Sequence, residues 1–152
     1  MDGTKAVGKT TTAKQRAAGL VKLDSKALRE PVAADPQTIL RRPRPLLGDE
    51  WQKVPEVCDV VRRAVDEDAA GGQLLLTGSA SPQDGTVQHS GAGRIGRLRM
   101  RPMTVAERGL VTPTVSLAAV LAERDAIQDE STMGLPEYME EIVASGFPGM
   151  AA

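Results

Sequence analysis

The chain has 152 residues, enough for one domain with a buried core, and its 41% apolar but 2% aromatic content means that any core is built from Leu, Val, Ile, Ala and Met. A formal net charge of −1 gives no bulk attraction to nucleic acid or to an acidic membrane surface, and a single Cys (Cys58) with a single His (His89) excludes a disulfide framework or a Cys/His metal cluster within one chain. No apolar run approaches the roughly 18 residues that span a membrane, and the opening MDGTKAVGK has no apolar signal-peptide segment, so a soluble, cytoplasmic protein without a membrane partner is expected.

Short apolar strands alternate with helical stretches along the chain, the pattern of an α/β fold. A glycine-containing opening leads into a helix from Lys9 to about Ala18, followed by a short strand from Leu20 to Leu23. Asp35-Pro36 offers an N-cap and a proline at the first helical position, opening a short helix through about Arg41. An Arg/Pro segment then leads to the apolar pair Leu46-Leu47.

Pro55 opens an amphipathic helix. Val57, Val60, Val61, Ala64 and Val65 share one face, while Glu56, Asp59, Arg62, Arg63 and Asp66 cover the other. Gly71-Gly72 stops it. Leu74-Leu75-Leu76 reads as a strand buried on both faces, ending in Thr77-Gly78-Ser79. A Gly-, Ser- and Gln-rich loop follows from Ser81 to Gly93. Between Arg97 and Arg101 apolar and basic residues alternate strictly, which suits a half-exposed edge strand. Two further helices are expected, from Val115 to about Ala126 and from Pro136 to about Ser145, and no internal repeat is present.

The sharpest motif is Gly3-Thr4-Lys5-Ala6-Val7-Gly8-Lys9-Thr10, a full G-x-x-x-x-G-K-[ST]. The spacing lets the loop wrap a phosphate chain with its own backbone N–H groups, and Gly3 and Gly8 permit the turns and the close approach. Lys9 brings a positive charge to the β- and γ-phosphates, and Thr10 offers a hydroxyl to Mg²⁺. A helix opening near Lys9 turns its positive dipole end to the anion. The bland alternative is a flexible tail that happens to contain Gly and Lys.

Downstream, Pro45-Leu46-Leu47-Gly48-Asp49-Glu50 is an apolar stub ending in adjacent acids. An acid at the tip of a buried strand can hold Mg²⁺, and its neighbour can polarise a water. Asp49 takes the first role and Glu50 the second; a strand-ending turn with solvated acids is the other reading. At the tip of the next strand, Ser79 or Thr77 can sense a γ-phosphate or orient that water, against a simple strand end.

Taken together, GTKAVGKTTTAKQ, LLGDEWQKVPEV, VDEDAAGGQLLLTGSASP and GAGRIGRLRMRPMTVAE resemble, in order and spacing, the prokaryotic AAA-type ATPase family in which a P-loop domain precedes a nuclease-like domain of unknown function. The resemblance runs from Gly3 to about Gly149, where ASGFPGM looks like the entry into that second domain. It implies a P-loop NTPase fold, a three-layer αβα arrangement around a mostly parallel sheet, with ATP and Mg²⁺ as cofactors. The ATPase core is expected over residues 1–130 and the start of a truncated C-terminal region over 131–152. Only Met1-Asp2 precede Gly3, so the first strand, central in that family's sheet, is expected to be missing.

Carried over residue by residue, the nucleotide-binding set is Gly3, Val7, Gly8, Lys9, Thr10 and Thr11, of which the last four match the family's phosphate loop. Thr10 and Asp49 are the implied metal ligands. Glu50, Ser79 and Arg94 are the implied catalytic residues, Ser79 at the sensor position and Arg94 facing the γ-phosphate, although a surface salt bridge suits Arg94 as well. Trp51 is read as packing, and Gln52 as a residue that helps position the acidic pair.

Outside these blocks, His89 reads as a solvated loop residue and Cys58 as a small buried apolar group. The alternating Arg97, Arg99 and Arg101 read as a solvated strand face, since no aromatics accompany them for base stacking, so nucleic acid is not supported as a partner. A protein partner or a second copy stays open. The functional expectation is Mg-dependent ATP binding and hydrolysis. Its competitor is a degenerate, non-catalytic fragment that binds nucleotide weakly or not at all, and a small phosphotransferase is a third reading that the Asp49-Glu50 pair argues against.

Overall fold

The computed structural model describes residues 1–68, 70–79, 93–122 and 132–149. Two compact units emerge, Met1–Arg101 and Pro102–Ala152. In chain order the first contains α1 (Lys9–Lys14), β1 (Gly19–Lys22), α2 (Lys26–Ala34), a 3₁₀ turn (Pro36–Arg41), β2 (Leu46–Asp49), a second 3₁₀ turn (Trp51–Lys53), α3 (Glu56–Glu67) and β3 (Leu74–Thr77). The strands form one parallel sheet in the order β1-β2-β3, with Lys22 opposite Asp49 and Asp49 opposite Thr77 at their C-terminal ends. This is the α/β architecture anticipated, a partial P-loop NTPase fold.

Valines make the core. The apolar face of α3, Val57, Val60 and Val61, packs with Val21, Leu23, Val32, Ile39, Leu46, Trp51 and Val54, and Ala64 is buried on the same face. Asp35 accepts from the Gln37 N–H at 3.1 Å with Pro36 behind it, so the cap forms as its residues suggest, but the turn it opens is 3₁₀ rather than α. Helix α1 stops at Lys14, short of Ala18. Helix α2 carries Pro31 in its interior, which disguises it as non-helical in the sequence. Gly48, an odd residue for a buried strand, is explained by its neighbours: a Cβ there would lie 3.1 Å from Leu76 Cδ2 and 3.5 Å from Ile39 Cδ1. Those side chains fill the space a larger residue would need.

Two residues do the work of a strand beyond β3. The Met1 amine donates to Leu76 O at 2.6 Å, and the Gly78 N–H donates to Met1 O at 3.3 Å. On the other side the Asp2 N–H donates to Leu98 O and the Met100 N–H to Asp2 O, both at 2.9 Å, closing a parallel bridge between Asp2 and Arg99. The place expected for a missing central strand is thus occupied at its C-terminal end by Met1 and Asp2. Behind them a groove of about 720 Å³ is lined by Leu74, Leu75, Leu76, Val61, Val65 and Leu98, among others. Its presence explains two departures. Leu74–Leu76 are half-buried instead of buried on both faces. The expected strand between Arg97 and Arg101 shrinks to the single bridge at Arg99, because its partner is only two residues long. Arg99 also pairs with Asp2 at 3.5 Å.

The second unit contains α4 (Leu117–Ala122), inside the helix expected from Val115, and α5 (Leu135–Ala144), which begins one residue before the expected Pro136. Its turns are held by a Thr104/Glu107 box, in which the Thr104 N–H donates to Glu107 Oε2 at 2.8 Å and the Glu107 N–H to Thr104 Oγ1 at 3.2 Å. Arg108 pairs with Glu141 of α5. His89 lies outside the described residues.

Candidate functional site

Parallel strands end on one edge of a sheet, so their final side chains are neighbours. Asp49 and Thr77 close β2 and β3 in register, both buried. The Thr77 hydroxyl donates to Asp49 Oδ1 at 2.6 Å. Thr10, in the first turn of α1, donates to the same oxygen at 2.7 Å. One carboxylate therefore ties the glycine loop, β2 and β3 together. The second Asp49 oxygen takes no part in these bonds.

The loop itself is wound by backbone conformations that few residues adopt. Gly3 has φ 139°, Ala6 67° and Gly8 98°. At Gly3 the requirement is doubled, since a Cβ would lie 2.3 Å from Met100 O. Val7 is fully buried and anchors the loop, so only its backbone can face a ligand. Lys9 is buried to 6% exposure and donates to Gly3 O at 2.8 Å and Thr4 O at 2.6 Å. Among the described residues it makes no ion pair. A buried ammonium is costly without a counter-charge, and here two backbone carbonyls are what it is given. Thr11 is exposed on the outer side of α1.

Next to Asp49, Glu50 adopts a left-handed backbone, φ 56° and ψ 41°. The turn sends the chain into Trp51–Lys53, whose Trp51 is buried. Gln52 Nε2 donates to Glu50 Oε2 at 2.5 Å and to Ser79 Oγ at 3.4 Å, while Ser79 Oγ lies 3.5 Å from Glu50 Oε2. The structure thus brings together Gly3, Gly8, Lys9, Thr10, Asp49 and Thr77, and beside them Glu50, Gln52 and Ser79. Arg94 is not brought in. Its guanidinium pairs with Asp66 in the last turn of α3. Of the two readings of Arg94, facing the γ-phosphate or in a surface salt bridge, the arrangement seen is the surface salt bridge.

Sequence reasoning named Thr77 only as an alternative to Ser79, yet it is Thr77 that touches Asp49. Strand alternation carries the signal: Thr77 is in register with Asp49, and Ser79 falls past the strand end. The donor set of Thr10, Asp49 and Thr77 consists of hard oxygens, which suits Mg²⁺, an ion that keeps several waters and takes few protein ligands. Among the described residues no group of three or more His, Cys, Asp or Glu forms a metal cage.

Residues 1–108 match a family model described as an AAA domain. No curated protein and no solved structure matches the chain. With well over half of its length matched, the chain belongs to the AAA domain family, a family of nucleotide-binding, ATPase-like modules. No helix among the described residues is long and apolar enough to cross a membrane.

Proposed function

We propose that this AAA domain binds ATP together with Mg²⁺ and hydrolyses it to ADP and phosphate at the C-terminal edge of the sheet. The observation that carries the reading is the convergence on Asp49 of Thr77 and of Thr10, the latter next in the chain to a buried Lys9 that makes no ion pair among the described residues.

In this reading the backbone N–H groups of the Gly3–Thr10 loop cradle the phosphates, and Lys9 exchanges its carbonyl partners Gly3 and Thr4 for phosphate oxygens. Thr10 and Asp49 would hold Mg²⁺, which when bound supplies neutralisation of the charge on the phosphate oxygens. Glu50 takes a proton from the attacking water as the water oxygen bonds to the γ-phosphorus. The bond to the bridging oxygen breaks, and its electron pair leaves with ADP. A positioned general base of this kind contributes roughly 10²–10⁴-fold to the rate. Ser79, two residues past the end of β3, reaches the Glu50 carboxylate and orients it. Thr77 fixes Asp49 from the sheet side.

Calorimetric titration of the chain with MgATP tests the proposal. Binding is expected for the wild type and a loss of at least about tenfold in affinity for Lys9→Ala, the equivalent of about 1.4 kcal/mol. A folded wild type that binds no MgATP, or a Lys9→Ala variant that binds equally well, overturns it.

A further inference from the structure

Gln52 stands between the tips of two strands. Its Nε2 donates both to Glu50 Oε2 at 2.5 Å, from the end of β2, and to Ser79 Oγ at 3.4 Å, from beyond β3. Its Oε1, by contrast, is buried with no hydrogen-bond partner. Leaving a buried amide oxygen unpaired is unfavourable, so this side chain is not placed where its own polar groups are best served. The backbone around it is equally particular. Glu50 is held in the left-handed region, and a Cβ on Gly78 would lie 2.4 Å from Gln52 Oε1 and 3.2 Å from Trp51 Nε1. A Cβ at position 78 would therefore push the Gln52 amide out of its present place.

We infer that Gln52 is a positioning residue that clamps the Glu50 carboxylate against Ser79, with Gly78 as the empty seat that lets it do so. The clamp rests on the reading of Glu50 as the base in ATP hydrolysis, and deepens it. An unclamped glutamate at the end of a tight turn samples several rotamers. A single amide donor reaching both Glu50 and Ser79 holds one of them. Glu50 is then aimed before nucleotide arrives, and reorientation is not required during the reaction. Gln52 touches neither phosphate nor metal in this scheme. Its effect belongs to turnover and not to nucleotide affinity.

The test uses the full chain with MgATP, separating affinity, by calorimetry, from turnover at saturation. Gln52→Leu keeps bulk and removes the donor. It is expected to lower kcat by about 10- to 100-fold, a fraction of what a general base contributes, with Kd for MgATP within about twofold of wild type. Gly78→Ala perturbs the clamp from the opposite side, leaving Gln52 in place, and is expected to produce the same split. In a Glu50→Gln background, Gln52→Leu is expected to lower the residual rate no further, because the two act as one unit. Turnover unchanged in Gln52→Leu, affinity falling in step with rate, or full additivity with Glu50→Gln each overturns the clamp while leaving the ATPase reading intact. A wild-type chain that neither binds nor hydrolyses MgATP overturns both.

Discussion

Glu50 is the residue where local conformation and chemistry pull against each other. A non-glycine residue in the left-handed region costs about 1–2 kcal/mol, and Asn bears that geometry better than Glu does. Glu50→Asn is therefore expected to raise stability by about 0.5–1 kcal/mol, read as a higher melting temperature, and to abolish hydrolysis because the shorter amide cannot accept the proton. A variant that melts lower than wild type would show that the Glu50 contacts outweigh its backbone strain. Gly3 presents the opposite case. Its φ of 139° and the 2.3 Å approach to Met100 O leave no space for a methyl group, so Gly3→Ala is expected to destabilise by more than about 1 kcal/mol and to weaken MgATP binding along with it. The shape of this loop was legible in the sequence, because the spacing of Gly3, Gly8, Lys9 and Thr10 sets where the chain turns and where α1 begins. For Arg94 the letters A-G-R left a surface salt bridge open without naming Asp66 as its partner.

At the scale of elements, helix α3 was legible because five apolar residues recur on one face, whereas α2 was hidden by Pro31. Helix α3 also carries Cys58, a probe of its packing. Burial raises the thiol's pKa above the ordinary value, and the nearby Asp59 adds to the effect. The sign follows directly. The folded state keeps the proton longer than the unfolded chain, so this thiol's contribution to stability is present below the unfolded thiol's pKa and is lost as pH rises through the folded one. Reaction with a thiol reagent at neutral pH is expected to be slower in the native protein than in urea-unfolded chain, since the thiolate is the reacting form. Equal rates would mean that α3 does not shield the thiol. Gly48 in β2 belongs at this scale too. Ala at this position needs Leu76 to yield a few tenths of an ångström, whereas a β-branched side chain has no place between Leu76 and Ile39.

For the whole molecule, the groove behind Met1 and Asp2 is the feature with most consequence. Hydrogen-bonding groups alternate sides along a strand. Since Leu76 O accepts from Met1, the N–H of Leu76 and both backbone groups of Leu74 face the same side, along the groove. Leu98 borders it opposite, its carbonyl already paired with Asp2. A strand entering there in parallel would meet backbone partners on both flanks and apolar side chains above and below. An engineered extension of five alternating, β-branched apolar residues ahead of Met1 is therefore expected to continue the ladder begun by Met1 and Asp2. The gain should be about 1–3 kcal/mol, from burial at about 25 cal/mol per Å² set against ordering of the added residues. For a unit of this size each kcal/mol raises the melting temperature by about 4–8 °C. Hydrogen exchange gives the decisive readout, because the amides of Leu74 and Leu76 should gain protection while Val21, paired on the far side of the sheet, gains little. An extension of equal length made of Gly and Ser controls for chain addition, and it should leave both the melting temperature and those amides unchanged. If the apolar extension behaves like that control, the groove is no place for a strand. The loop anchored by Asp2 must then take its shape from Gly3, Gly8 and the Thr10–Asp49 bond alone.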